Sequence, residues 1–126
     1  MKTIFCHISD QIKKSGILLL SQRLEIKMKD IDESDAGKTV MSLVLGIETH
    51  VSNSALQKIP AMYRMPEVLI FSEFDDASLQ DFLDAYRSSG MERIKLKAVV
   101  TPYNIGWTLY QLIEHLKEES RQNIRK

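Results

Sequence analysis

A single cysteine, Cys6, stands in 126 residues, so no intramolecular disulfide forms and no structural zinc site can draw on several thiolates. Glycine is nearly as sparse. The five, Gly16, Gly37, Gly46, Gly90 and Gly106, are widely scattered, which excludes a Gly-rich phosphate loop and nucleotide binding by that device. The three histidines, His7, His50 and His115, contain no i, i+4 pair, so a metal signature is missing and no cofactor is expected. Charge of one sign is also lacking: seventeen Lys and Arg face seventeen Asp and Glu. No global field therefore draws the chain to nucleic acid or to an anionic membrane, and any such binding would need a local patch. Apolar runs are short. Gly16-Ile17-Leu18-Leu19-Leu20 falls far below the roughly 20 residues that span a bilayer. The opening Ile4-Phe5-Cys6, broken at His7 and followed by Ser9-Asp10, lacks the long apolar region of a signal peptide. A cytoplasmic protein without nucleic-acid or membrane partners is the expectation.

What is there is a core. An apolar fraction of 44% is enough for one domain over residues 1–126. The β-branched and aromatic run Thr3 to Ile8 predicts a strand. Ser9-Asp10 then caps a helix with Ile12, Ile17, Leu20 and Leu24 inward. Glu25 to Ile31 alternates as a half-exposed strand does, and Ser34-Asp35 opens a second helix stopped at Gly46. From Ile47 to Glu67 the pattern dissolves around Ser52, Pro60 and Pro66, with one helical turn near Ala55 to Lys58, which reads as a surface linker. Val68-Leu69-Ile70-Phe71 is continuously apolar, the mark of a covered strand. Asp75-Asp76 starts a helix with Leu79, Phe82, Leu83 and Tyr86 inward, ended by Gly90. Arg93 to Val100 is a fourth strand, and Thr101-Pro102 begins a last helix reaching about Glu119.

The chain thus reads βαβα twice, in halves 1–46 and 67–126 joined by linker 47–66. Ile4-Phe5-Cys6-His7-Ile8 aligns with Ile70-Phe71-Ser72-Glu73-Phe74. Ile26-Lys27-Met28-Lys29 aligns with Ile94-Lys95-Leu96-Lys97, and Ala36-Gly37-Lys38-Thr39-Val40 with Ile105-Gly106-Trp107-Thr108-Leu109. An internal repeat follows. The more apolar first strand of each half belongs at the centre and the lysine-bearing second strand at an edge. The expected fold is α/β: a small four-stranded sheet of order 2-1-3-4 with helices packed on it, all strands parallel and helices on both faces. A ferredoxin-like α+β sheet with one open face is the alternative.

The stretch Val68 to Phe74, a helix ending at Gly90, and then Lys97-Ala98-Val99-Val100-Thr101-Pro102 with Asn104 and Trp107 resembles the small bacterial proteins grouped as domain of unknown function 3783. Glu73 stands where that family's Phe-Ser-Gly-Phe turn carries glycine. The resemblance implies a small cytoplasmic bacterial protein and carries over no activity.

Candidate chemistry is confined to three places. In a parallel sheet, ligands bind where strand order reverses, between strands one and three. That gathers Ser9, Asp10, Ser72, Glu73 and Asp75, with Thr101 and Asn104 from the fourth strand's exit, as ligand-binding candidates. Their carboxylates suit Mg²⁺ or acid–base work. Helix capping explains Ser9, Asp10, Asp75 and Asp76 equally directly and is the preferred account. On the last helix, Tyr103, Trp107 and Tyr110 form a second stripe, covered either by linker residues Met62, Tyr63 and Met65 or by a second copy of the chain. Lys27, Lys29, Lys95 and Lys97 read as solvated edges on opposite rims, a poor track for a phosphate backbone. Cys6 and His7, adjacent on a strand, point to opposite faces and cannot act together. The reading is a non-catalytic binding or protein-interaction module, with no catalytic and no metal-binding residue assigned. It takes an unknown protein or small-molecule partner and self-associates through the last helix. The alternative is a small-molecule or Mg²⁺-dependent enzyme with its site at the strand ends.

Overall fold

The computed structural model describes residues 1–48 and 51–124, so His50 and the end of the basic tail, Arg125 and Lys126, lie outside the described residues. The elements are β1 (Thr3–His7), α1 (Gln11–Arg23), β2 (Lys27–Asp30), a 3-10 turn (Glu33–Asp35), α2 (Val40–Leu45), α3 (Asn53–Gln57), β3 (Val68–Ser72), α4 (Asp76–Ser88), β4 (Leu96–Val99) and α5 (Leu109–Ile124). Among the described residues no helix is long and apolar enough to cross a membrane. The chain divides into two compact units, one of Met1–Asp30 with Pro66–Val99 and one of Ile31–Met65 with Val100–Lys126.

The first unit holds the sheet, in the expected order β2-β1-β3-β4. Its direction differs from the all-parallel expectation. β1 pairs with β2 and β3 with β4 in parallel, but β1 and β3 run antiparallel, Thr3 facing Ser72 and His7 facing Val68. A run of apolar residues says that a strand is central; it carries no information on direction, which the long connection from α2 to β3 leaves free. β3 is buried along its whole length, as a covered strand is expected to be. α1 and α4 pack on each other and share one core with the alternate strand residues Ile4, Cys6, Leu69 and Phe71, so both lie on the same face.

Within that layer, α1 and α4 have the same build. Each is thirteen residues long and each is capped by an aspartate, Asp10 accepting from the amides of Ile12 and Lys13, Asp75 from that of Ser78. Each is left through a residue with positive φ, Glu25 at 59° and Gly90 at 73°. α1 turns Lys13, Ile17, Leu20 and Ser21 inward. Ile12, expected inward, is 83% exposed, because the buried stripe runs i, i+4, i+7, i+8 from Lys13.

The second unit replaces two predicted helix starts by turns. Asp32 and Asp35 form a reciprocal capping box around the short 3-10 turn, and Thr39 then caps α2, which ends at Gly46 with φ 67°. Thr101 and Asn104 make the corresponding pair: Asn104 Oδ1 accepts the Thr101 amide at 3.0 Å, and Thr101 Oγ1 accepts the amides of Tyr103 and Asn104. The last helix therefore begins at Leu109 rather than Pro102, with Thr108 Oγ1 accepting the Gln111 amide. Thr39 and Thr108 face each other in an antiparallel bridge. The amides of Val40 and Met41 donate to the carbonyls of Trp107 and Ile105, and those of Leu109 and Tyr110 donate to Lys38 and Ala36. The exchange is reciprocal.

Candidate functional site

The two helix–strand connections of the sheet unit differ. One residue, Ile26, separates Glu25 from β2, while five, Met91 to Lys95, separate Gly90 from β4. The longer connection is tied down by Tyr86, whose hydroxyl donates to the Glu92 carbonyl at 2.8 Å and accepts the Ile94 amide at 3.0 Å. Between it and α4 lies a cavity of about 380 Å³ lined by Leu83, Tyr86, Arg87, Met91, Arg93 and Lys97. Leu83, Tyr86 and Met91 give it an apolar wall, and its three charged lining residues are all cations.

Lys97 reaches this cavity because of register. Leu69 pairs with Lys97 and Phe71 with Val99, and Leu69 and Phe71 face the helices, so Lys97 points to the helix-bearing side. On β2 it is Met28, the partner of Ile4, that does so, while Lys27 and Lys29 occupy the alternate positions and Lys29 Nζ lies 6.0 Å from the centre of the Phe5 ring. The expectation that all four lysines are equivalent outward residues thus fails for Lys97. A one-residue slip in strand register moves every side chain to the other face. The Lys97 ammonium donates to the Ile94 carbonyl at 2.9 Å. Burial pushes its pKa below the ordinary lysine range, and the Arg93 guanidinium acts in the same direction. Among the described residues neither Arg93 nor Lys97 has a carboxylate partner, whereas Arg87 Nη1 lies 3.6 Å from Asp84.

The antiparallel central pair also separates the residues expected at one strand-end site. Ser9 and Asp10 lie beyond His7 at one end of the pair, and Ser72, Glu73 and Asp75 lie at the other. At the first end Glu67 draws the loop together: its Oε2 accepts the Ser9 and Asp10 amides and the Ser9 hydroxyl, each at 3.1 Å, and its Oε1 accepts from Lys13 Nζ. Burial alone would raise the Glu67 pKa; the bonds from Lys13, Asp10 and Ser9 outweigh it and lower it. At the other end Ser72 is buried, Asp75 caps α4, and exposed Glu73 accepts from the Met1 nitrogen at 2.8 Å. Glu73 has φ 63°, the left-handed conformation that glycine adopts most readily, so this turn holds a residue other than glycine in glycine's favoured conformation. Thr101 and Asn104 bond to each other. Among the described residues no group of three or more His, Cys, Asp or Glu is placed to hold a metal ion.

The aromatic stripe is not helical, since Tyr103 and Trp107 precede α5. Tyr63 of the linker packs edge-on against Tyr110 with centroids 5.1 Å apart, Trp107 against His115 at 5.2 Å, and Tyr103 is 88% exposed.

With this geometry in hand, residues 67–122 match the family model described as Domain of unknown function (DUF3783). The match runs from the start of β3 through most of α5, a little under half of the chain. No curated protein and no solved structure matches it. The DUF3783 match includes α4, the connection from Met91 to Lys95 and β4, and so all six residues that line the cavity. It begins at Glu67 and leaves out the first half. Sequence reasoning overlooked Arg87, Arg93 and Lys97 as a group. The available signal was the spacing from each aspartate cap to the following strand, which is longer in the second half.

Proposed function

We propose that this protein is a non-catalytic small-molecule-binding module that captures an anion in the cavity between α4 and the Met91 to Lys95 connection. The observation that carries the reading is the convergence of Arg87, Arg93 and Lys97 on one partly apolar cavity, two of them without a carboxylate partner among the described residues. Uncompensated cations in a half-enclosed site gain from a phosphate or carboxylate, which replaces the water they give up. Leu83, Met91 and the Tyr86 ring suit the apolar part of such a ligand. A cytoplasmic setting belongs to the same reading, since a lone unpaired cysteine suits a reducing compartment.

The same reading takes the chain as two βαβα copies. Supporting it are matched positions: 65 residues separate Asp10 from Asp75, Ser88 from Arg23 and Gly90 from Glu25. From β2 onward the separation is 69, as for Lys27 and Leu96, Asp32 and Thr101, or Thr39 and Thr108. The first strands then align at 65 rather than 66 and the second at 69 rather than 68. The difference is the longer connection that forms the cavity.

Thermal unfolding with phosphate, pyrophosphate, acetate and benzoate, against chloride at matched ionic strength, tests the binding. A ligand specific to the native state raises the melting temperature with concentration. Such a rise is expected for at least one anion and should diminish in Arg93→Gln; equal curves for every anion and chloride would remove the cavity from the reading.

A further inference from the structure

The cavity combines two kinds of group that serve different parts of one ligand. Arg87 and Arg93 are permanent cations whose planar guanidinium groups take two oxygens of a phosphate or carboxylate. Lys97 is an amine, held toward the same cavity by its bond to the Ile94 carbonyl. We propose that the cavity holds aldehydes or ketones that carry an anionic group, with the carbonyl carbon joined to Lys97 as a reversible imine. This rests on the reading of the cavity as an anion site and adds the second anchor.

The chemistry closes without an oxidant or reductant. The Lys97 nitrogen lone pair forms the C–N bond, the carbonyl oxygen leaves as water with both amine hydrogens, and hydrolysis reverses the step. It needs a neutral amine, and lysines become competent in this way when desolvated or set beside another cation. Lys97 has both conditions: burial lowers its pKa and Arg93 lowers it further. Lys13 and Lys38 behave oppositely, since their bonds to Glu67 and Asp35 raise the pKa of each. Among the described residues the one ion pair formed by the cavity's cations is that of Arg87 with Asp84, and the Tyr86 hydroxyl is occupied by the Glu92 carbonyl and the Ile94 amide. Among the described residues no carboxylate pairs with Lys97 to hold its proton.

Three related probes separate the two anchors in the full chain: pyridoxal 5′-phosphate carries aldehyde and phosphate, pyridoxine 5′-phosphate the phosphate alone, and pyridoxal the aldehyde alone. Each is incubated at limiting amount, imines are fixed with borohydride, and the labelled peptides are mapped by mass. The expected result is label from pyridoxal 5′-phosphate on Lys97 ahead of the other ten lysines. Pyridoxine 5′-phosphate should compete it off, and pyridoxal should label about tenfold less at Lys97, the worth of one charge-assisted contact. Lys97→Arg keeps the charge and should lose the label while retaining the thermal shift with pyridoxine 5′-phosphate. If that phosphate raises the melting temperature but label is spread over lysines with Lys97 not preferred, the imine falls and the anion site stands. If neither effect is seen, both fall.

Discussion

The two arms of the sheet, β1-α1-β2 and β3-α4-β4, share a skeleton and differ in chemistry. Both have an aspartate cap, a thirteen-residue helix and an exit through positive φ. Yet the first arm runs straight into its edge strand, and the second inserts Met91 to Lys95, turns Lys97 to the helix side and encloses a cationic cavity. The lesson is that repeated hydrophobic pattern and caps build the scaffold, while a short change in connection length decides which side chains face a site.

The largest effect expected of a test is at the cores of the two arms. Phe82 and Ile17 stand at the same place in their helices and are both fully buried. Phe82 also stacks edge-on with Phe71 and Tyr86 at 5.5 and 6.1 Å. Phe82→Ala should cost about 3–5 kcal/mol and Ile17→Val only about 0.5–1.5 kcal/mol, read by urea unfolding. A Phe82→Ala cost no greater than that of Ile17→Val would mean that the second arm's aromatic core is not what holds it.

Much of this scaffold was legible. Strand order, the central and edge ranking, the Asp10 and Asp75 caps and the Gly46 and Gly90 stops all follow from local chemistry that the residues carry themselves, whereas Thr101 closes a turn with Asn104 instead of opening the last helix. Strand direction was not, because Val68 to Phe71 reads the same either way, and the gathering of Ser9 and Asp10 with Glu73 rested wholly on direction. Register was misread by one residue because Ile4-Phe5 and Ile70-Phe71 match in letters while pointing to opposite faces. That slip hid Lys97.

The next comparison is between the two ends of the central strand pair. Glu67 gathers Ser9, Asp10 and Lys13 at one end, and Glu73 meets the Met1 nitrogen at the other, with both partners well exposed. Glu67→Gln should destabilise by about 1.5–3 kcal/mol, the range for hydrogen bonds to charged groups, and Glu73→Gln by little. The lowered Glu67 pKa fixes the sign of the pH dependence. Its contribution is complete above the unfolded carboxyl value, about 4.3, and is lost as pH falls below that toward the folded value. Wild type and Glu67→Gln should therefore converge in stability on acidification; a gap that stays constant from neutral pH down to about pH 2 would refute the assignment.

The smallest effects, of opposite sign, are expected at Ser21 and Tyr86, which also stand at the same place in their helices. Both are buried, but the Ser21 hydroxyl has no hydrogen-bond partner among the described residues, whereas the Tyr86 hydroxyl holds the Glu92 carbonyl and the Ile94 amide. A buried hydroxyl without a partner costs its desolvation and returns nothing, so Ser21→Ala should be neutral or stabilise by up to about 1 kcal/mol. Tyr86→Phe leaves the ring in the core and removes the tie on the inserted connection, so it should destabilise by about 1 kcal/mol or somewhat more. Amide exchange then locates the loss. Opening confined to Met91 through Ile94, with the amides of β1 and β3 as protected as before, means that the hydroxyl holds the cavity wall and not the sheet. Equal loosening of the whole unit would instead make Tyr86 one more member of the common core, and the contrast between the two arms would reduce to packing alone.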